Sequence, residues 1–174
     1  MKHSVGLWQL WGFATASLGG TILHFLYDLS DKSAFIAPFS GVNESTWEHM
    51  KLLFWPMLFF AVVQSVFFRE HKDFWWIQLR GILLGLALIP ILFYTYNGVI
   101  GRSPDWINIA IFFVAAAASY IYETRKFHKE QRPCRSPRAA LAVLLVIGLS
   151  FVLFTFRTPE IGIFKDPLTG AYGI

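Results

Sequence analysis

Five apolar stretches, each close to twenty residues long, constrain this chain more than any other feature of it. Crossing about 30 Å of hydrocarbon takes roughly 20 helical residues at a rise of about 1.5 Å each. The stretches fall at about 7–27, 47–68, 75–96, 106–122 and 139–156. The bilayer core has no water for unpaired peptide groups, so such runs are predicted to be helical. Strand-like alternation is absent. The expected fold is all-α: one polytopic membrane helix bundle of five transmembrane helices over residues 1–174, with a short outer tail at 157–174. Only 15% of residues are charged against 55% hydrophobic, and a soluble protein of this size could not bury so much apolar surface. The first run continues to Tyr27. That exceeds the apolar core of a signal peptide, about 7–15 residues, and predicts an uncleaved first helix.

Charge orients the spans. One side of the predicted membrane holds Lys2, Arg69, Lys72, Arg125, Lys126, Lys129, Arg132, Arg135 and Arg138; the other holds only Lys32, Arg102, Arg157 and Lys165. The positive-inside rule then puts the N-terminus in the cytoplasm and the C-terminus outside. Lys51 and Arg80 lie just inside spans and are expected to snorkel outward. The basic 123–138 loop is a topology signal on this reading, so no nucleic-acid partner is expected. Trp8, Trp11, Trp75 and Trp76 fall at the inner interface, and Trp47 and Trp106 at the outer one, as an aromatic belt requires. The single cysteine, Cys134, excludes an intramolecular disulfide and a Cys-based zinc knuckle.

Small residues recur at helical spacing: Gly12, Ala16 and Gly20, then Gly81 and Gly85, then Ala115 and Ser119. They allow close helix approach, either within the chain or in a homo-oligomer. Pro56 and Pro90 predict kinks.

Polar residues gather on the predicted outer side. The segment 41–51 reads Gly-Val-Asn-Glu-Ser-Thr-Trp-Glu-His-Met-Lys and leads into the second span. Ser45-Thr46-Trp47-Glu48 matches a capping box, with Glu48 returning to the Ser45 amide. Glu44, Glu48 and Lys51 are spaced to share one helix face if the helix extends back that far. His24 and Asp28, at i and i+4, close the first span, and an ionisable group at the depth of His24 points to function. Imidazole and carboxylate together suit a divalent metal such as zinc. The expected ligands are His24, Glu44, His49 and Asp28. Glu48 would be the general base, and Asn43, Asn97 and Asp105 would support the site. There is no HExxH or CxxC motif, and His3, His71 and His128 fall on the other side. Gln64 is expected to bond another helix. Phe164, Leu168, Tyr172 and Ile174 are expected to fold the tail back over the helix ends.

The segments Asn43-Glu44-Ser45-Thr46-Trp47-Glu48-His49-Met50-Lys51-Leu52 and Asp166-Pro167-Leu168-Thr169-Gly170-Ala171-Tyr172-Gly173 resemble signatures of an uncharacterised family of small bacterial multi-span membrane proteins. The resemblance implies the bacterial plasma membrane and no particular activity. The chain lacks the EExxxR pair of CAAX-type proteases and the serine, aspartate and three-histidine pattern of ceramidase-like hydrolases. Three functions stay open: a metal-dependent membrane hydrolase, a cation- or proton-coupled transporter component, and an accessory subunit without catalysis. Five spans with no internal repeat argue against the second as a monomer.

Overall fold

The computed structural model describes residues 4–101, 104–129 and 136–174. It consists of α1 (Val5–Leu29), α2 (Thr46–Phe67), α3 (Phe74–Ile100), α4 (Asp105–Phe127), α5 (Pro137–Phe156) and a 3-10 turn at Gly162–Phe164. Among the described residues β-structure is limited to one bridge, Lys165 to Tyr172. The basic stretch 130–135, with Cys134, and the arginine at 102 lie outside the described residues. The expected all-α helix bundle is the observed architecture.

Four helices, α2 to α5, are long and apolar enough to cross a membrane. This is a membrane protein by that measure. The first helix, although 25 residues long, is not among the four. Its middle is rich in Gly12, Ala14, Thr15, Ala16, Ser17, Gly19, Gly20 and Thr21, which lowers its hydropathy. Its outward face is nevertheless apolar, with Leu7, Leu10, Trp11, Leu18, Ile22 and Phe25 all exposed.

The small residues of α1 are used inside the bundle. Gly12 meets the rings of Tyr120 and Phe60, and Gly20 meets Phe112 and the Leu52 carbonyl. These pairings run α1 antiparallel to both α2 and α4. Gly85 lies against Ser119 and Leu53, and Gly81 against Glu123. A side chain at any of these glycines would push the helices apart. The core between them contains Leu53, Phe54, Met57, Ile82, Ala115 and Phe151. Pro56 and Pro90 both lie within continuous helices.

The 30–45 connection is folded onto the end of α1. Ser40 is buried; its hydroxyl donates to the Leu23 carbonyl and accepts from the Tyr27 amide, the latter at 2.8 Å. Of the tail residues expected to pack back, Phe164 does so and Tyr172 is half-buried, whereas Leu168 and Ile174 are exposed. Phe164 is buried, with its ring 4.7 Å from that of Trp47 and 5.5 Å from that of Phe154. The Asn43 amide donates to the Gly173 carbonyl at 3.1 Å, tying the tail to the loop that carries Glu44.

Candidate functional site

Helix α2 begins at Thr46, and Ser45 caps it by accepting from the Glu48 amide at 3.4 Å. Half of the expected capping box is present. In the other half Glu48 does not return to Ser45. The Ser45 amide bonds instead to Asn43 Oδ1 at 2.9 Å, and Glu48 Oε2 accepts from the Val42 amide at 3.0 Å. Glu44 therefore precedes the helix and shares no helix face with Glu48 and Lys51.

That loop position brings Glu44 to the histidines. His24 Nε2 lies 3.5 Å from Glu44 Oε1, and His49 Nε2 lies 3.6 Å from Glu44 Oε2. One ligand atom from each of the three residues falls within 4.8 Å of the others, and all three side chains are partly buried. His49 Nδ1 sits 3.0 Å from the Ser45 carbonyl. A carbonyl only accepts, so Nδ1 carries the hydrogen and Nε2 is the nitrogen that faces Glu44. Such an anchor on the far nitrogen orients a metal-binding imidazole.

The spacing itself is informative. A histidine–carboxylate hydrogen bond would close to about 2.7–2.9 Å. Two ligands of one tetrahedral zinc, each about 2.0–2.1 Å from it, stand about 3.4 Å apart. Both observed separations are longer than that hydrogen bond and run to different oxygens of Glu44, and one ligand atom from each of the three residues falls within 4.8 Å of the others.

Glu48 stands outside this trio. Its carboxylate pairs with Lys51 Nζ at 2.5 Å. Lys51 also donates to the Ala37 carbonyl at 2.8 Å and to Thr155 Oγ1 at 3.1 Å. Three acceptors satisfy the three ammonium hydrogens. Lys51 is fully buried rather than snorkelling, and it joins α2, the 30–45 connection and α5. The Glu48 carboxylate, expected as general base, is engaged by Lys51 and by the Val42 amide of the loop that carries Glu44.

Other expected members are placed elsewhere. Asp28 is exposed, and its backbone carbonyl accepts from the Asp31 amide at 3.2 Å; it is not among the clustered ligands. Asn97 donates to the Phe93 carbonyl within α3 at 2.8 Å. The side chain of Asp105 lies outside the described residues. The Asn43 side chain accepts from the Ser45 amide and donates to the Gly173 carbonyl, next to Glu44 in the chain.

A cavity of about 160 Å³ opens beside the trio, between α1 and α4. His24, His49 and Asn108 provide its polar wall, and Phe25, Phe112 and Phe113 are among its apolar lining. The spacing of polar residues along the chain gives no sign of this groove, because α1, α2 and α4 line it together.

The chain belongs to a family described as a family of unknown function, DUF6512, whose model matches residues 1–174. No curated protein and no solved structure matches it.

Proposed function

We propose that this member of the family is a membrane-embedded, metal-dependent hydrolase whose divalent ion is held by His24, Glu44 and His49. The observation that carries the reading is the 3.5 and 3.6 Å spacing of two imidazole nitrogens from the two oxygens of one carboxylate. Two histidines and one glutamate are a donor set of catalytic zinc sites, which keep a fourth position open. A metal there would polarise a substrate oxygen and activate a bound water. The chain's own contribution is positioning: Ser45 fixes the His49 ring, while Asn43 and Glu48 hold the loop that presents Glu44. The apolar groove beside His24 and His49 favours a substrate with a hydrocarbon portion, drawn from the surrounding membrane lipids.

In this proposal α1 is the fifth span, and its 25 residues reach about 37 Å at about 1.5 Å per residue. The charge distribution supports a bacterial plasma-membrane location with the N-terminus inside and the C-terminus and metal site outside.

The test is metal analysis of detergent-purified protein equilibrated with zinc and then dialysed. Wild type should retain close to one equivalent, whereas His24→Ala, Glu44→Gln and His49→Ala should each lose it while keeping wild-type helix content. Wild type at background, or folded variants that hold as much metal as wild type, would remove the metal site and the hydrolase with it.

A further inference from the structure

At the opposite end of the bundle four helices bring a second set of polar side chains together. Gln9 of α1, Gln64 of α2, Gln78 of α3, and Tyr120 and Glu123 of α4 are all buried. Helix register explains why they meet. Gly12 touches Tyr120, so in the antiparallel α1–α4 pair Gln9, three residues earlier, lies level with Glu123, three residues later. Gln78 donates to Gln64 Oε1 at 3.0 Å, which links α2 and α3 at this level. The Glu123 side chain packs directly on Gly81 of α3, where only a glycine leaves room for it.

The hydrogen bonding in this layer is incomplete. Among the described residues, both oxygens of Glu123, both polar atoms of the Gln9 side chain, the Tyr120 hydroxyl and Gln64 Nε2 have no hydrogen-bond partner. The Gln78 amide is turned toward Glu123 without closing to a full hydrogen bond. The groups around Glu123 are the neutral amides and the phenol, and it forms no ion pair among the described residues. A bare carboxylate in such surroundings carries a desolvation cost that neutral amides do not offset. Something positive must accompany it. Surplus acceptors on Glu123, Gln9 and Tyr120 provide the coordination or the hydrogen-bond acceptor that such a charge needs.

We propose that the Gln9–Gln64–Gln78–Tyr120–Glu123 layer is a binding site for one exchangeable monovalent cation, a proton or an alkali ion, seated on Glu123. The site lies at the other end of the bundle from the His24–Glu44–His49 trio and does not depend on it. A bound charge neutralises the carboxylate and lets the four helices pack dry around it. Its release leaves an anion that favours opening of the α1–α4 and α3–α4 contacts to water.

Infrared difference spectra of the full chain in lipid, wild type minus Glu123→Gln, test this. In choline buffer a protonated-carboxyl carbonyl band belonging to Glu123 is expected. Loss of that band when sodium or potassium replaces choline at constant pH identifies an alkali-ion site. A band indifferent to those ions but falling about tenfold per pH unit past its midpoint identifies a proton site. Labelling by dicyclohexylcarbodiimide, mapped to Glu123 by mass spectrometry, should follow the same ion or pH dependence. Absence of both band and adduct in every buffer, with Glu123→Gln melting as wild type, would overturn the proposal.

Discussion

Lys51→Met is the most direct probe of how this bundle is held together. The substitution keeps an unbranched side chain, one heavy atom shorter, and deletes one charge. It leaves the buried Glu48 carboxylate with the Val42 amide as its remaining hydrogen-bond donor, and it removes the donor to Ala37. Thr155 loses little, because its hydroxyl also donates to the Phe151 carbonyl at 2.8 Å. Breaking a buried pair by removing one partner costs about 3–5 kcal/mol. In the double variant Glu48→Gln/Lys51→Met no charge is stranded, and the carboxamide oxygen introduced at position 48 can still accept from Val42. The remaining loss is that of one buried hydrogen bond, about 1–3 kcal/mol. The double variant should therefore be more stable than Lys51→Met alone. Reversible unfolding in mixed micelles with increasing SDS measures wild type, Lys51→Met, Glu48→Gln and the double variant. A Lys51→Met cost below about 1 kcal/mol, the range of an exposed ion pair, would refute the argument. So would a double variant as unstable as the sum of its singles. Because Glu48 also holds Val42 near Glu44, zinc affinity should fall by about 10–100-fold in Glu48→Ala, which loses that contact, as for other groups supporting metal ligands.

Reporter fusions after Arg132 and after Ile174 should report opposite sides of the membrane, and the same side for both would rule out five spans. Gly12→Ala places a methyl against the Tyr120 and Phe60 rings and should cost about 1–3 kcal/mol, whereas Gly6→Ala, with nothing within 4 Å, should be neutral in the same SDS titration. His71, in the turn between α2 and α3, has its pKa lowered from the usual 6.5 by burial, with Glu70 opposing; the unfolded chain then binds the proton more readily, so the stability of this turn is full above about pH 6.5 and is lost as pH falls through the folded value. Amide exchange at 68–74 should quicken over that fall in wild type and not in His71→Phe. Zinc at about 100 times its dissociation constant should raise stability by about 2.7 kcal/mol, and His49→Ala should abolish the increment.

Much of the fold is legible because the bilayer reduces the choice of structure to one. Apolar length alone sets α2 to α5. The His24–Glu44–His49 cluster is legible in part. His24, Glu44 and His49 are ionisable residues next to the predicted membrane boundary, and two adjacent spans joined by a short connection have to bring them to one level. The surroundings of Glu48 are less legible, because its partner is Lys51, three residues on. Helical spacing places that lysine near it, yet nothing local says that Ala37 and Thr155 will complete the ammonium's hydrogen bonds and allow full burial. Glu44 is read too helically, because the Asn43 side chain takes the Ser45 amide and stops the helix one residue after Glu44. The polar layer around Glu123 is missed for a related reason. Gln9, Gln78 and Glu123 each stand near the end of their own helix, where polar residues usually meet headgroups, and only the register of three helix pairs shows that they face inward.

Helix α1 falls short of a membrane-crossing hydropathy for the same reason that both polar sites exist. Gly12, Ala16 and Gly20 form a spine that lets α1 settle against Tyr120, Phe60 and Phe112. Larger apolar residues there would raise the hydropathy and hold the helix away from its neighbours. Held away, His24 could not approach Glu44 and His49, and Gln9 could not reach the level of Glu123 in contact with α4. Close approach is thus needed at both ends of one helix, and the small residues that permit it contribute little apolar area to the lipid. The large exposed side chains at Leu7, Leu10, Trp11, Leu18, Ile22 and Phe25 restore that area on the opposite face. Sequence hydropathy averages the two faces, whereas the bundle uses each separately: one to meet lipid, the other to assemble the polar groups.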